Sequence, residues 1–156
     1  MEAARSMLLD RFYRDFWLLL ALLILLILIT ILFIAFYFIR YRKMTMKSRI
    51  CVPIVSVVLI AFTCFFGQFF AKYYNDYVYL KTNDPIHIEG KVIGYAHTVS
   101  HDDLTVTRSW PIILIEETCD EISLNIVDSE RRLRVEEVYA FLYLPNTKCA
   151  EIVEIQ

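Results

Sequence analysis

Glycine is nearly missing from this chain: there are three in 156 residues, Gly67, Gly90 and Gly94, where average usage would supply about eleven. So few, so far apart, leave no phosphate-cradling loop and no nucleotide-binding fingerprint, and no HExxH zinc motif occurs either. Acid is absent from residue 16 to residue 74, and charge of either sign is absent from residue 16 to residue 39. Cations are scarce at the other end. Residues 75 to 156 hold 15 Asp or Glu against 7 Lys or Arg, a balance of −8, so the only stretch able to fold in water has no basic patch for nucleic acid.

What is abundant is hydrocarbon. The chain is 58% hydrophobic and 22% charged, with a mean hydropathy of +0.49, which does not suit a soluble domain. The excess sits in two runs. Phe16 to Ile39 is uncharged, with Thr30 as its one clearly hydrophilic side chain, and is long enough to cross a hydrocarbon core of about 30 Å. It is too long for a signal peptide and lacks a small-residue cleavage site. Ile50 to Phe70 is uncharged as well, with Pro53 expected in its first turn as a helix-start marker. Residues 40–49 connect the two runs, which predicts a tight antiparallel hairpin with both termini on one side of a membrane.

Arg40, Arg42, Lys43, Lys47 and Arg49 crowd that connection with no acid to relieve them. By the positive-inside rule this connection is cytoplasmic and determines the topology, placing the tail outside. The expected organisation is an N-terminal interfacial segment (1–15), a first transmembrane helix (16–39), the basic connection (40–49), a second transmembrane helix (50–71), an aromatic interfacial linker (72–85) and a small β-domain (86–156). Leu8, Leu9, Phe12 and Phe16 fall on one helical face of the first segment, which reads equally as a helix lying on the bilayer or as an extension of the first span. On the second span, Ala61, Cys64, Gly67 and Ala71 form a small-residue stripe suited to helix packing, against the first span or a partner's helix.

After Asn83-Asp84-Pro85 the pattern becomes extended. Strands are expected at Ile86 to His97, Leu104 to Trp110, Pro111 to Thr118, Glu121 to Val127, Val138 to Leu144 and Ala150 to Ile155, with Gly90 and Gly94 marking bulges or bends. The fold class is therefore an α+β membrane protein: a two-helix transmembrane hairpin followed by a small all-β domain, an OB-like barrel or a sandwich.

Gly90-Lys91 in the opening strand, with the closing run Val135 to Asn146 (VEEVYAFLYLPN), resembles a family of uncharacterised bacterial membrane proteins that join one or two spans to an OB-like β-domain. The chain departs from that pattern in having Arg131 to Glu137 where a glycine turn is usual. The resemblance implies architecture and no activity.

Cysteine and histidine supply the remaining candidates. Cys119 and Cys149 would close a loop of about 30 residues by a disulfide outside the cytoplasm, the alternative being two reduced cysteines in a cytoplasmic domain. His97 and His101 beside Asp102 and Asp103 read as a solvated hairpin tip in preference to a metal site, and Ser100-His101-Asp102 is not a triad, which needs separate elements. No cofactor and no catalysis are expected. Expected partners are the lipid bilayer and another membrane or extracytoplasmic protein, with homo-oligomerisation open and nucleic acid excluded. The expected role is a non-enzymatic protein-binding module in the bacterial cytoplasmic membrane, as an immunity or exclusion factor or as an accessory subunit of an envelope complex.

Overall fold

In the computed structural model, the described residues are 1–40, 46–100, 106–115, 118–126 and 133–153, with side chains described for all but 46–51, 97–100 and 106–109. The chain divides into two compact units: Asp15–Tyr74, and Met1–Arg14 together with Asn75–Gln156. Two helices and a six-stranded mixed sheet make up the described secondary structure, so the class is α+β.

Helix α1 (Glu2–Arg40) and helix α2 (Met46–Tyr79) are both long and apolar enough to span a membrane. Within the first unit their shielded positions recur every seven residues. On α1 these are Phe16, Leu23, Thr30 and Tyr37, with Leu19, Leu26 and Phe33 between them; on α2 they are Ser56, Thr63 and Phe70, with Leu59, Phe66 and Tyr73 between. A seven-residue spacing on two antiparallel helices is the signature of knobs-into-holes packing. The Phe16 and Phe70 rings meet at 5.4 Å, and the Thr30 and Thr63 hydroxyl oxygens lie 3.4 Å apart. Each hydroxyl also reaches the carbonyl four residues back in its own helix, at 2.8 Å, so neither polar group is stranded among hydrocarbon.

Helix α2 is longer at both ends than the span expected from its apolar run. It starts at Met46, which puts Pro53 inside the helix and not in its first turn. It also runs on through the tyrosine-rich stretch to Tyr79, where Leu80 and Asn83 N–H groups bond back to the Asp76 and Tyr79 carbonyls.

The second unit is built on β1 (Ile86–Ser100), β2 (Val106–Ile115), β3 (Asp120–Ser123), β4 (Asn125–Ile126), β5 (Val138–Tyr143) and β6 (Cys149–Val153). Strand order is β3-β2-β1-β5-β6-β4, all neighbours antiparallel except β4 with β6. Only Leu124 separates β3 from β4, so one extended run pairs with β2 through its first part and with β6 through its second. Across that junction the Leu124 N–H donates to Pro111 O (3.0 Å) and the Asn125 N–H to Lys148 O (2.8 Å). Val92, Ile113, Leu124, Leu133, Phe141, Tyr143, Ala150 and Ile152 form the core.

Strand β1 carries the architecture. It pairs with β5 through Ile86–Lys91 and with β2 from Lys91 onward, with a register shift between Val92 and Gly94. Gly90 sits where β2 approaches closest: a Cβ there would collide with the Ile113 side chain and stand 2.8 Å from Leu114 O. The two strands expected on either side of Trp110-Pro111 are a single one, β2. Trp110 adopts a left-handed backbone (φ 62°), yet the register holds across it, with Tyr95 opposite Pro111 and His97 opposite Ser109.

Candidate functional site

Side chains alternate across a strand, so in β5 and β6 the core residues Phe141, Tyr143, Ala150 and Ile152 leave Ala140, Leu142, Leu144, Cys149, Glu151 and Val153 on the opposite, outer face. Those six are buried too. Helical residues of the same unit are buried as well. Ala4, Leu8 and Phe12 form a buried i,i+4 stripe on α1. The Arg11 guanidinium donates to Ile126 O on β4 at 3.2 Å, and Arg5 pairs with Asp84. The segment expected as interfacial is thus the start of α1, with its apolar face turned into protein.

The strongest tie is Asp76, fully buried near the end of α2. Its Oδ1 accepts from the Asn146 backbone N–H (3.0 Å) and Nδ2 (2.8 Å), and its Oδ2 from the Thr147 backbone N–H (2.7 Å) and hydroxyl (2.6 Å). A carboxylate out of water requires such charge-assisted donors. The Pro145-Asn146-Thr147-Lys148 turn between β5 and β6 provides them, with Lys148 in a left-handed conformation (φ 58°) and its N–H bonded to Leu144 O. Tyr143, at the foot of this turn, has its pKa raised by burial and by the neighbouring Tyr79.

Across β5, β1, β2 and β3 the outer surface changes character. Val138, Lys91, Leu114 and Glu121 register side by side, and Ile112 and Ser123 follow one step on. Val138 is 48% exposed and Trp110 41%; Ile112 and Leu114 are half-buried, and Glu89, Asp120, Glu121 and Glu136 are exposed. Lys91 pairs with Glu136 and Arg134 with Glu137. The Tyr139 hydroxyl accepts from the Arg134 N–H (3.2 Å) and donates to Glu137 Oε2 (2.6 Å). The Arg134 bond pulls its pKa down, but Glu137 and burial outweigh it and leave the phenol raised.

The Cys119 to Cys149 disulfide expected from the cysteine count is not formed. Cys119 is exposed in the turn before β3, and Cys149 is buried at the start of β6 opposite Asn125. Six residues of extended chain separate Cys119 from that register point, roughly 20 Å along the strand, whereas a disulfide needs Cα atoms within about 7 Å.

The small-residue stripe is not on the seam between the helices. Ala61, Cys64 and Ala71 are exposed, Gly67 is half-buried with open space around it, and Thr63, Phe66 and Phe70 face α1 instead. Arg40 closes α1 with its guanidinium over the Phe36 ring at 5.4 Å. Arg42 and Lys43, the side chains of Lys47, Arg49 and His97, and His101 to Asp103 lie outside what is described. Among the described residues no group of three metal-ligating side chains comes together.

Asp76 was the residue that sequence reasoning passed over. Its signal is an acid in the last turn of a helix, where the macrodipole disfavours negative charge, followed much later by a Pro-Asn-Thr turn rich in donors.

Compared with known protein families, curated proteins and solved structures, the chain matches none.

Proposed function

We propose that the chain is a two-pass protein of the bacterial cytoplasmic membrane that holds an OB-like β-module outside the cytoplasm and acts by binding another protein, without catalysis. The observation that carries this reading is the distribution of exposure. The helical unit turns Leu18, Leu22, Leu25, Leu28, Leu32, Val55, Val58, Phe62 and Phe65 outward, a continuous apolar exterior suited to lipid. The β unit turns acids and a few apolar side chains outward. The pairing order supports the OB-like assignment: with β3 and β4 taken as one strand, five strands close in the order first, second, third, fifth, fourth, with the third and fifth parallel, the Greek-key arrangement of small barrels. Five cations in the connection support the orientation.

An immunity or exclusion factor is the leading role, since such a factor needs only an anchor and a binding surface. The exposed stripe of Ala61, Cys64 and Ala71 favours a second role, an accessory subunit that docks a partner's helix within the membrane.

Labelling whole cells with a membrane-impermeant maleimide tests the placement. Cys119 is expected to label in intact cells without prior reduction; labelling only after lysis overturns the orientation. Co-purification from detergent tests the role: a stoichiometric partner supports protein binding, and a chain that stays alone in every extract counts against it.

A further inference from the structure

The uncovered outer face of β1, β2 and β3 has a chemistry that selects its occupant. We propose that this face docks a cationic amphipathic segment of a partner protein, a proposal that rests on the protein-binding reading and names the surface and the kind of partner.

Three observations carry it. First, the face carries apolar side chains on both sides of Lys91, with Leu114 and Ile112 on β2, Val138 on β5 and Trp110 at the rim. The equivalent positions on β5 and β6 are sealed by the chain itself, so apolar outer positions on this sheet are positions that receive cover. Second, among the described side chains the charge on this face has one sign left over: Glu89 and Glu121 are exposed, while the nearby cations Lys91 and Arg134 are each engaged by a glutamate. Apolar side chains flanked by Lys or Arg complement such a surface; nucleic acid and anionic headgroups are repelled by it. Third, Trp110 is 41% exposed on a left-handed backbone. A non-glycine residue held there is strained, and tryptophan is among the side chains most enriched as interface anchors.

Photo-crosslinking in cells tests the proposal with the full-length protein in its own membrane. Benzoylphenylalanine replaces Leu114, or Val138 if the Leu114 variant does not accumulate; a second strain carries it at Ala61 on α2. The expected result is a protein adduct at the sheet position whose crosslinked peptide has Lys or Arg beside apolar residues, with Glu89→Lys plus Glu121→Lys cutting its yield about fivefold or more. A lipid adduct, an adduct to a second copy of this chain, an acidic crosslinked peptide, or a yield unchanged by the two lysines overturns the proposal. A protein adduct at Ala61 with none at the sheet position removes this face but leaves the protein-binding reading standing; no protein adduct at either position removes both.

Discussion

The outer surface of one small sheet is treated in two ways by one chain. Over β6 and most of β5 the chain covers its own outer residues, even a glutamate, Glu151, which is 2% exposed; over β2 and the first residue of β5 it leaves Leu114, Trp110 and Val138 in contact with solvent. Both regions are antiparallel pairs, with a register shift and the left-handed Trp110 on the β1–β2 side. The difference comes from where the helices meet the sheet. Asp76 grips the β5–β6 turn and Arg11 reaches β4, so the helical residues available to the unit are committed to that side.

Asp76→Ala should break the comparison most severely. It removes the buried acceptor of four hydrogen bonds from Asn146 and Thr147, and the expected cost is about 3–5 kcal/mol. Thermal unfolding in detergent would register this as a large drop in Tm, with hydrogen exchange accelerated at residues 144–149. Asp76→Asn keeps the shape but turns one acceptor into a donor facing donors, and should cost about half as much. A change below about 1 kcal/mol in the alanine variant would mean that the turn holds its place without the carboxylate.

Next in size is the contrast between a covered and an open position. Phe12→Ala empties a fully buried ring site and should cost about 3–5 kcal/mol. Val138→Ala, at a 48% exposed site, should cost less than about 1 kcal/mol. Denaturant titration of the two variants side by side measures the difference; equal costs would mean that the open face is not open in solution.

How much of this was legible in the sequence depends on the range of the determining interaction. The spans could be read because absence of charge over a bilayer's thickness is a local property of consecutive residues. The Thr30 and Thr63 seam was harder, since nearly every neighbour is apolar and periodicity vanishes against a uniform background. Pro53 and Trp110-Pro111 misled for a related reason: proline and a turn-prone neighbour read as boundaries, while packing carries helix α2 and strand β2 straight through them. The disulfide was inferred from count and compartment, which carry no information on whether Cys119 and Cys149 share a register. Asp76 was invisible because its partners stand 70 and 71 positions away.

A smaller effect sharpens the helical side. Thr63→Ala removes the hydroxyl facing Thr30 but leaves the apolar seam intact, so a loss of about 0.5–1 kcal/mol is expected, read from unfolding in detergent mixtures. Cys119→Ser should be milder still, within about 0.5 kcal/mol, and equally so with and without reductant, as suits an exposed thiol with no bridge.

Alkaline titration offers the finest comparison, because the two ends of β5 each carry a tyrosine on the core face. Tyr143 is raised by burial and Tyr79, whereas Tyr139 is raised chiefly by the Glu137 carboxylate against the pull of the Arg134 N–H. In both cases the folded protein holds the phenolic proton more tightly than the unfolded chain does. Their contribution to stability is therefore complete below pH about 10 and is lost as pH rises from there through the raised folded values. Added salt separates the two. An exposed charge interaction is screened and a burial effect is not, so Tyr139 should move back toward an ordinary phenol at high ionic strength while Tyr143 stays raised, as ultraviolet difference spectra of the Tyr139→Phe and Tyr143→Phe variants would resolve. If both move together, the Tyr143 end of β5 is as open to ions as the Tyr139 end, and the burial that separates the two ends of the strand does not hold.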